Sequence, residues 1–386
     1  MATSSTPAPR RGLARKALLG AILSVVVLAL LEIAARVATS AGRGAAGGAY
    51  FDSFRDLVVE LGGFDDADRL LESDAELFWK LRPGVHGLPW HPPLWLDNRS
   101  NALGYRDPER SFEAPAGTLR LFCLGNSCTY GLGVRVEESW PQALEALLAS
   151  TYHDRLVEAW NGGVPGWSSD QGRTLLVRDG ARVRPAFVLV EFGINDARHW
   201  DLAHHKERGH GGCLSDREAR ARLSSAAARS DRALESLALY RLIRGALAPE
   251  RREALARENG ASASDTGGGP RVPDLDFRDN LRAIATESRR LGAQPIFLLW
   301  PIRWQLESQA GRELDPPTSY QLSIRAMGAE LDVPVVDLLE RFAGASGLYV
   351  DSVHMNAQGC HRVAEEIGRF LYAHKLLPEP PRPNPR

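Results

Sequence analysis

The stretch that most restricts what this chain can fold into runs from Leu121 to Gly131 and reads Leu-Phe-Cys-Leu-Gly-Asn-Ser-Cys-Thr-Tyr-Gly. An apolar, strand-like run ends abruptly at Gly-Asn-Ser, and a polar, glycine-punctuated turn leads on toward a helix. This places the Ser127 hydroxyl at the carboxyl end of a buried strand, where open α/β sheets hold their ligands. A serine there has two readings. It is either a turn or N-cap residue that satisfies backbone N–H groups, or a nucleophile that needs a base and oxyanion donors from elsewhere in the chain.

From Leu119 onward the pattern alternates. Strands are expected at 119–124, 156–160, 187–192, 295–300 and 334–338, the third interrupted only by Glu191. Helices are expected from Ser139, over 175–182, over 277–291, near 318–331, and through Val363, Ile367, Phe370 and Leu371. Ser139 and Gln142 have capping-box spacing, with Trp140 and Pro141 in the first turn. Five strands alternating with helices predict an α/β fold built on a parallel, doubly wound sheet. Residues 197–271 break the rhythm with a His-rich loop, an Ala/Arg-rich helical stretch and a low-complexity loop. An insertion of that length in a compact domain is usually functional or disordered.

Residues 1–16 are polar and basic, with Arg10, Arg11, Arg15 and Lys16 at their end, and residues 17–38 are apolar apart from Glu32 and Arg36. The run approaches the roughly 20 residues of a membrane span and exceeds the about 7–15 of a signal-peptide core. A transmembrane anchor is therefore expected, with a signal peptide cleaved near Thr39-Ser40-Ala41 as its rival. Basic residues on the amino side keep that end cytoplasmic and put the rest on the periplasmic or extracellular side. Residues 39–115 read as a Gly/Ala-rich linker, a short amphipathic helix carrying Phe51, Phe54, Leu57, Val58 and Leu61, and an irregular extension that is dense in Pro, Gly and Trp over 81–96. Asn98-Arg99-Ser100 fits a glycosylation sequon. The main domain spans 116–375, and 376–386 is a Pro-rich, unstructured tail.

A net charge of −1 gives nucleic-acid binding no electrostatic support. The 4 cysteines show no CxxC pair, and Cys123 reads as a buried strand thiol. Cys128 and Cys360 flank candidate site residues, and whether they pair is left open.

Of the 10 histidines, His354 stands out because Asp351 precedes it by three residues on a turn. That spacing lets the carboxylate reach imidazole Nδ1 and leaves Nε2 for Ser127. Gly166, in the loop after the second strand, lets backbone approach a substrate closely. Asn195, after the third strand, has a side-chain amide with two N–H groups to donate. Alone, each has an ordinary reading: a surface histidine, a turn glycine, a capping asparagine.

Together these segments resemble the blocks of the SGNH (GDSL-type) hydrolases, in the same order. Gly125-Asn126-Ser127 is similar to the family's Gly-Asp-Ser, Gly166 to its second-block glycine, Gly193-Ile194-Asn195-Asp196 to its third block and Asp351-x-x-His354 to its last. The resemblance covers roughly 119–371 apart from the insertion. It implies a flavodoxin-like α/β/α sandwich and a metal-free esterase mechanism. Ser127 would be the nucleophile, His354 the base and Asp351 its orienter, with Ser127, Gly166 and Asn195 forming the oxyanion hole. One departure is plain: Asn126 stands where the family has aspartate. Cys128 next to the serine is also unusual, either as packing or as an oxidation-sensitive thiol.

His199, His204, His205 and His210, with Asp201 and Cys213, match no zinc-ligand spacing, so no metal or other cofactor is expected. Asn126, Arg198, His199 and Trp200 are candidate substrate contacts. The reading is a membrane-anchored, extracytoplasmic serine esterase acting on a short acyl group of a carbohydrate or lipid. An O-acyltransferase that uses the same acyl-enzyme on a surface glycan, and a non-catalytic glycan- or envelope-binding protein, are the alternatives.

Overall fold

The computed structural model describes residues 11–40, 70–87, 98–198, 215–223, 234, 237–240, 242–243, 269–307 and 316–377. The helix expected at 51–61, most of the insertion and the end of the tail lie outside these residues. Helix α1 (Arg11–Ser40) contains a stretch, Arg15–Val37, that is long and apolar enough to cross a membrane. Its most apolar window is not buried against protein. Near the carboxyl end of α1, the Glu32 carboxylate accepts the N–H groups of Ala238 and Leu239 at 2.9 Å each. Ala35 and Ala238 are both buried there, so the insertion grips this helix.

The extension ahead of the main sheet is more ordered than its composition implied. Strands β1 (Leu71–Asp74) and β2 (Phe78–Leu81) pair antiparallel, with Leu71 opposite Leu81. Leu77, Trp79 and Leu81 are buried in the main core, and Asp74 Oδ1 closes the turn by accepting the Glu76 and Leu77 N–H groups at 2.9 Å each. Arg106 donates to the Gly131 and Val134 carbonyls at 2.6 Å each. Asp107 accepts the Asn161 N–H at 2.9 Å and Gln142 Nε2 at 2.7 Å. That second bond corrects the capping box expected at Ser139: the buried carboxylate draws Gln142 away, and Ser139 Oγ donates to the Val136 carbonyl instead. Asn98 is buried and accepts the Tyr130 hydroxyl at 2.9 Å, so the sequon is closed to a glycan.

The main sheet follows. Strand β3 (Leu119–Gly125) runs into a one-turn helix, α2 (Ser127–Tyr130), and then α3 (Trp140–Thr151). Next come β4 (Val157–Gly163), α4 (Ser169–Val183), β5 (Phe187–Glu191) and, inside the insertion, α5 (Asp216–Leu223). The pattern closes with α6 (Asp274–Arg290), β6 (Gln294–Leu299), α7 (Ser319–Leu331), β7 (Val335–Asp337) and α8 (Ala357–Ala373). The five strands are parallel in the order β4-β3-β5-β6-β7. Helices α3 and α8 cover one face, and α4, α6 and α7 the other.

Because β3 lies between β4 and β5, its carboxyl end is the topological switch point where such sheets open a crevice. Register sharpens this: Gly125 is opposite Gly163 on one side and Glu191 on the other. The three loops that follow these residues therefore leave the sheet at the same height.

Candidate active site

Ser127 begins α2, directly after the switch-point strand. Asn126 caps the turn, its Oδ1 accepting the Cys128 N–H at 2.8 Å. Only glycine fits at two neighbouring points: a Cβ at Gly125 would overlap Thr129 Oγ1, and one at Gly163 would overlap the Tyr130 backbone.

Asp351 and His354 arrive from the loop before α8. A bridge between Tyr349 and Met355 closes that loop, and Trp300 Nε1 donates to the Val353 carbonyl at 3.0 Å. His354 Nδ1 lies 2.6 Å from Asp351 Oδ2, and His354 Nε2 lies 2.7 Å from Ser127 Oγ. Asp351 Oδ1 accepts the N–H groups of Val353 and His354 at 2.8 Å each. Burial resists the charge on Asp351, but the hydrogen bond and charge of His354 and these two N–H groups outweigh it and hold the pKa at about 2. An ionised carboxylate at Nδ1 fixes the tautomer whose Nε2 accepts from the serine hydroxyl. The chain of contacts can thus take a proton from Ser127 and stabilise the imidazolium that results.

Gly166 sits in the loop after β4 with φ +79°, a left-handed conformation that glycine takes without steric cost. Among the described residues neither the Ser127 nor the Gly166 N–H has an acceptor. Asn195 is 6% exposed and spends one amide N–H on the Trp167 carbonyl at 2.9 Å, which leaves its second free. Asp196 anchors the same turn by accepting the Ser169 and Gly193 N–H groups at 2.9 and 3.0 Å.

The remaining candidates divide. Arg198 follows Asn195 with an exposed side chain that has no hydrogen-bonded partner among the described residues, and it lies within electrostatic reach of Cys128 and Asp351. His199 and Trp200 fall outside the described residues. Asn126 lies beneath the serine and not on a pocket wall: it is fully buried, and both ends of its amide are hydrogen-bonded. Cys128 and Cys360 are separate free thiols. Burial pushes the Cys128 thiol well above its ordinary range, which makes it a packing group instead of a reactive one. No cluster able to hold a metal occurs among the described residues.

Glu191 is the site residue whose role local sequence did not disclose. The carboxylate, 0% exposed, accepts Asn126 Nδ2 at 3.1 Å and Thr129 Oγ1 at 3.0 Å. This explains the departure at Asn126. An aspartate there would set a second buried acid against Glu191 and offer it no N–H, whereas the amide donates to it. The one signal available was a single acid in an otherwise apolar strand.

The family model of the GDSL-like Lipase/Acylhydrolase family matches residues 123–362, more than half of the chain. Among solved structures, TesA aligns at 18% identity over 66% of this chain and 98% of its own, with a TM-score of 0.38. An acetylxylan esterase from Geobacillus stearothermophilus aligns at 16% identity over 66% and 94%, with a TM-score of 0.41. The lipase/acylhydrolase from Enterococcus faecalis aligns at 16% identity over 69% and 100%, with a TM-score of 0.39. A search of curated protein sequences gave no match. The match of the family model, which runs from β3 into α8, decides the assignment: this chain belongs to the GDSL-like lipase/acylhydrolase family and is an ester-hydrolysing serine hydrolase.

Proposed function

We propose that the protein is a membrane-anchored esterase whose catalytic domain faces away from the cytoplasm and which removes a short acyl group from a carbohydrate or lipid. The observation that carries the reading is the unbroken line from Asp351 through His354 to Ser127, with links of 2.6 and 2.7 Å. Ser127 Oγ attacks the ester carbonyl as its proton passes to His354 Nε2. The N–H groups of Ser127 and Gly166 and the free amide N–H of Asn195 receive the oxyanion. Collapse expels the alcohol, which takes the proton from His354, and leaves an acyl-serine. Water, deprotonated by His354, then releases the acid and restores the serine.

Helix α1 supports the anchor by its length and its unburied apolar surface, and the basic residues ahead of it support the orientation. Arg198 is assigned to the substrate, where a guanidinium with no hydrogen-bonded partner among the described residues favours an ester carrying negative charge.

The test is fluorophosphonate labelling and p-nitrophenyl acetate turnover by the full chain in detergent. Both are expected in the wild type and neither in Ser127→Ala. Labelling that persists in Ser127→Ala, or a folded wild type that neither labels nor turns over, rejects the reading.

A further inference from the structure

Three successive carbonyls in the loop after β4 are each held by a side-chain N–H. Trp79 Nε1 donates to the Pro165 carbonyl at 3.0 Å, Arg271 Nη1 donates to that of Gly166, and Asn195 Nδ2 donates to that of Trp167 at 2.9 Å. Asn195 belongs to the recognised blocks. Trp79 does not: it comes from the hairpin, ahead of the family match at 123–362. Arg271 closes the insertion.

We propose that Trp79 and Arg271 are positioning residues of the oxyanion hole: Trp79 aims and strengthens the Gly166 N–H through the peptide before it, and Arg271 pins the peptide after it, so that Gly166 is held from both sides. The proposal rests on the esterase reading above. The Pro165 carbonyl and the Gly166 N–H belong to one planar peptide group, so fixing the oxygen fixes the direction of the N–H. Donation to that oxygen also polarises the peptide and makes its N–H a better donor. The loop needs such outside support. Gly166 has no Cβ to limit its rotation, and its left-handed φ belongs to a wide region open to glycine.

The two side chains are themselves immobilised. Trp79 is 0% exposed, and its own carbonyl accepts Trp167 Nε1 at 2.9 Å, so the two tryptophans clasp each other. The residue before it, Phe78, has φ +64°, and the Trp79 N–H bonds the Leu77 carbonyl at 2.7 Å. A three-residue turn of this hand is rare and strained, and such strain collects at functional sites. Here it turns the indole toward Pro165. Arg271 is locked by Asp216 at 2.7 Å and by Gln171 at 2.5 Å, with its guanidinium 5.2 Å from the centre of the Trp79 ring. Gln171 in turn donates to the Leu77 carbonyl at 2.8 Å, which ties the hairpin to the same loop.

The test uses the full chain in detergent. Trp79→Phe keeps an aromatic ring in the core and deletes the N–H together with part of the indole bulk. Its kcat on p-nitrophenyl acetate is expected to fall about tenfold with KM within about twofold, a smaller loss than removal of an oxyanion donor causes. Affinity for an alkyl boronic acid, which adds to the serine as a tetrahedral anion, is expected to fall by the same factor as kcat. Arg271→Lys keeps a cation for Asp216 but lacks the planar fork that reaches Gly166 and Gln171 together, and it is expected to behave alike. This second variant decides the matter if Trp79→Phe does not fold. A folded variant with wild-type kcat and boronate affinity overturns the proposal, as does a loss confined to KM. Fluorophosphonate labelling of the wild type reads the esterase assignment separately: without it the esterase reading fails, whereas an active wild type beside an unimpaired Trp79→Phe rejects only the positioning role.

Discussion

Glu191 shows how one buried acid shapes its surroundings. Burial raises its pKa from 4.5 to about 8 against the opposing bonds from Thr129 and Asn126, so the folded protein holds a proton that the unfolded chain releases near 4.5. Its contribution to stability is therefore fully present below that lower value and is lost as pH rises toward about 8. Burial acts in the same sense on Asp107, raised to about 7, and on Asp196, raised to about 6. Glu191→Gln stays neutral throughout and is expected to flatten the decline, raising the melting temperature near pH 8 by about 3–6 °C. An unchanged slope of melting temperature against pH would exclude this account. For Asp351→Asn, kcat is expected to drop on the order of 10³–10⁴-fold in steady-state assays, because the imidazole loses the partner that sets its tautomer. Arg198→Ala is expected to lower the ratio of kcat/KM for an anionic ester over a neutral one by about fivefold, the upper range for an exposed charge pair. Equal ratios in the two proteins would remove Arg198 from the substrate.

Among the elements, the carboxyl ends of β3, β4 and β5 carry the proposed chemistry, and their common height leaves no room for added atoms at Gly125 and Gly163. Gly163→Ala would drive a methyl into the Tyr130 backbone and is expected to cost about 1–3 kcal/mol in urea denaturation, together with a loss of kcat as α2 shifts. Wild-type stability would show that α2 can yield. The strands were legible in sequence because each is an apolar run ended by a polar turn, and Ser127, Asn195, Asp351 and His354 were legible because each follows a strand or shares a turn. Trp79 and Arg271 were not, since they meet Pro165 and Gly166 across 86 and 105 residues and a contact of that reach leaves no local pattern. Gln142 failed as a capping partner for the same reason: its best partner, Asp107, lies 35 residues away.

At the scale of the molecule, the chain divides between a helix suited to a bilayer and a domain suited to water. The full chain is expected to sediment with membranes and resist an alkaline carbonate wash, while a chain lacking residues 17–38 stays in the supernatant. Recovery of both in the supernatant would rule out the anchor. Glu32 gives this arrangement a consequence of its own. A carboxylate that holds Ala238 and Leu239 from α1 ties this part of the insertion to the helix. On the proposed anchor, the enzyme is then confined to a thin layer above the bilayer. It meets esters borne on lipid or envelope polymer by lateral search, at a frequency set by their number per unit area, and soluble esters only as they drift in from the bulk.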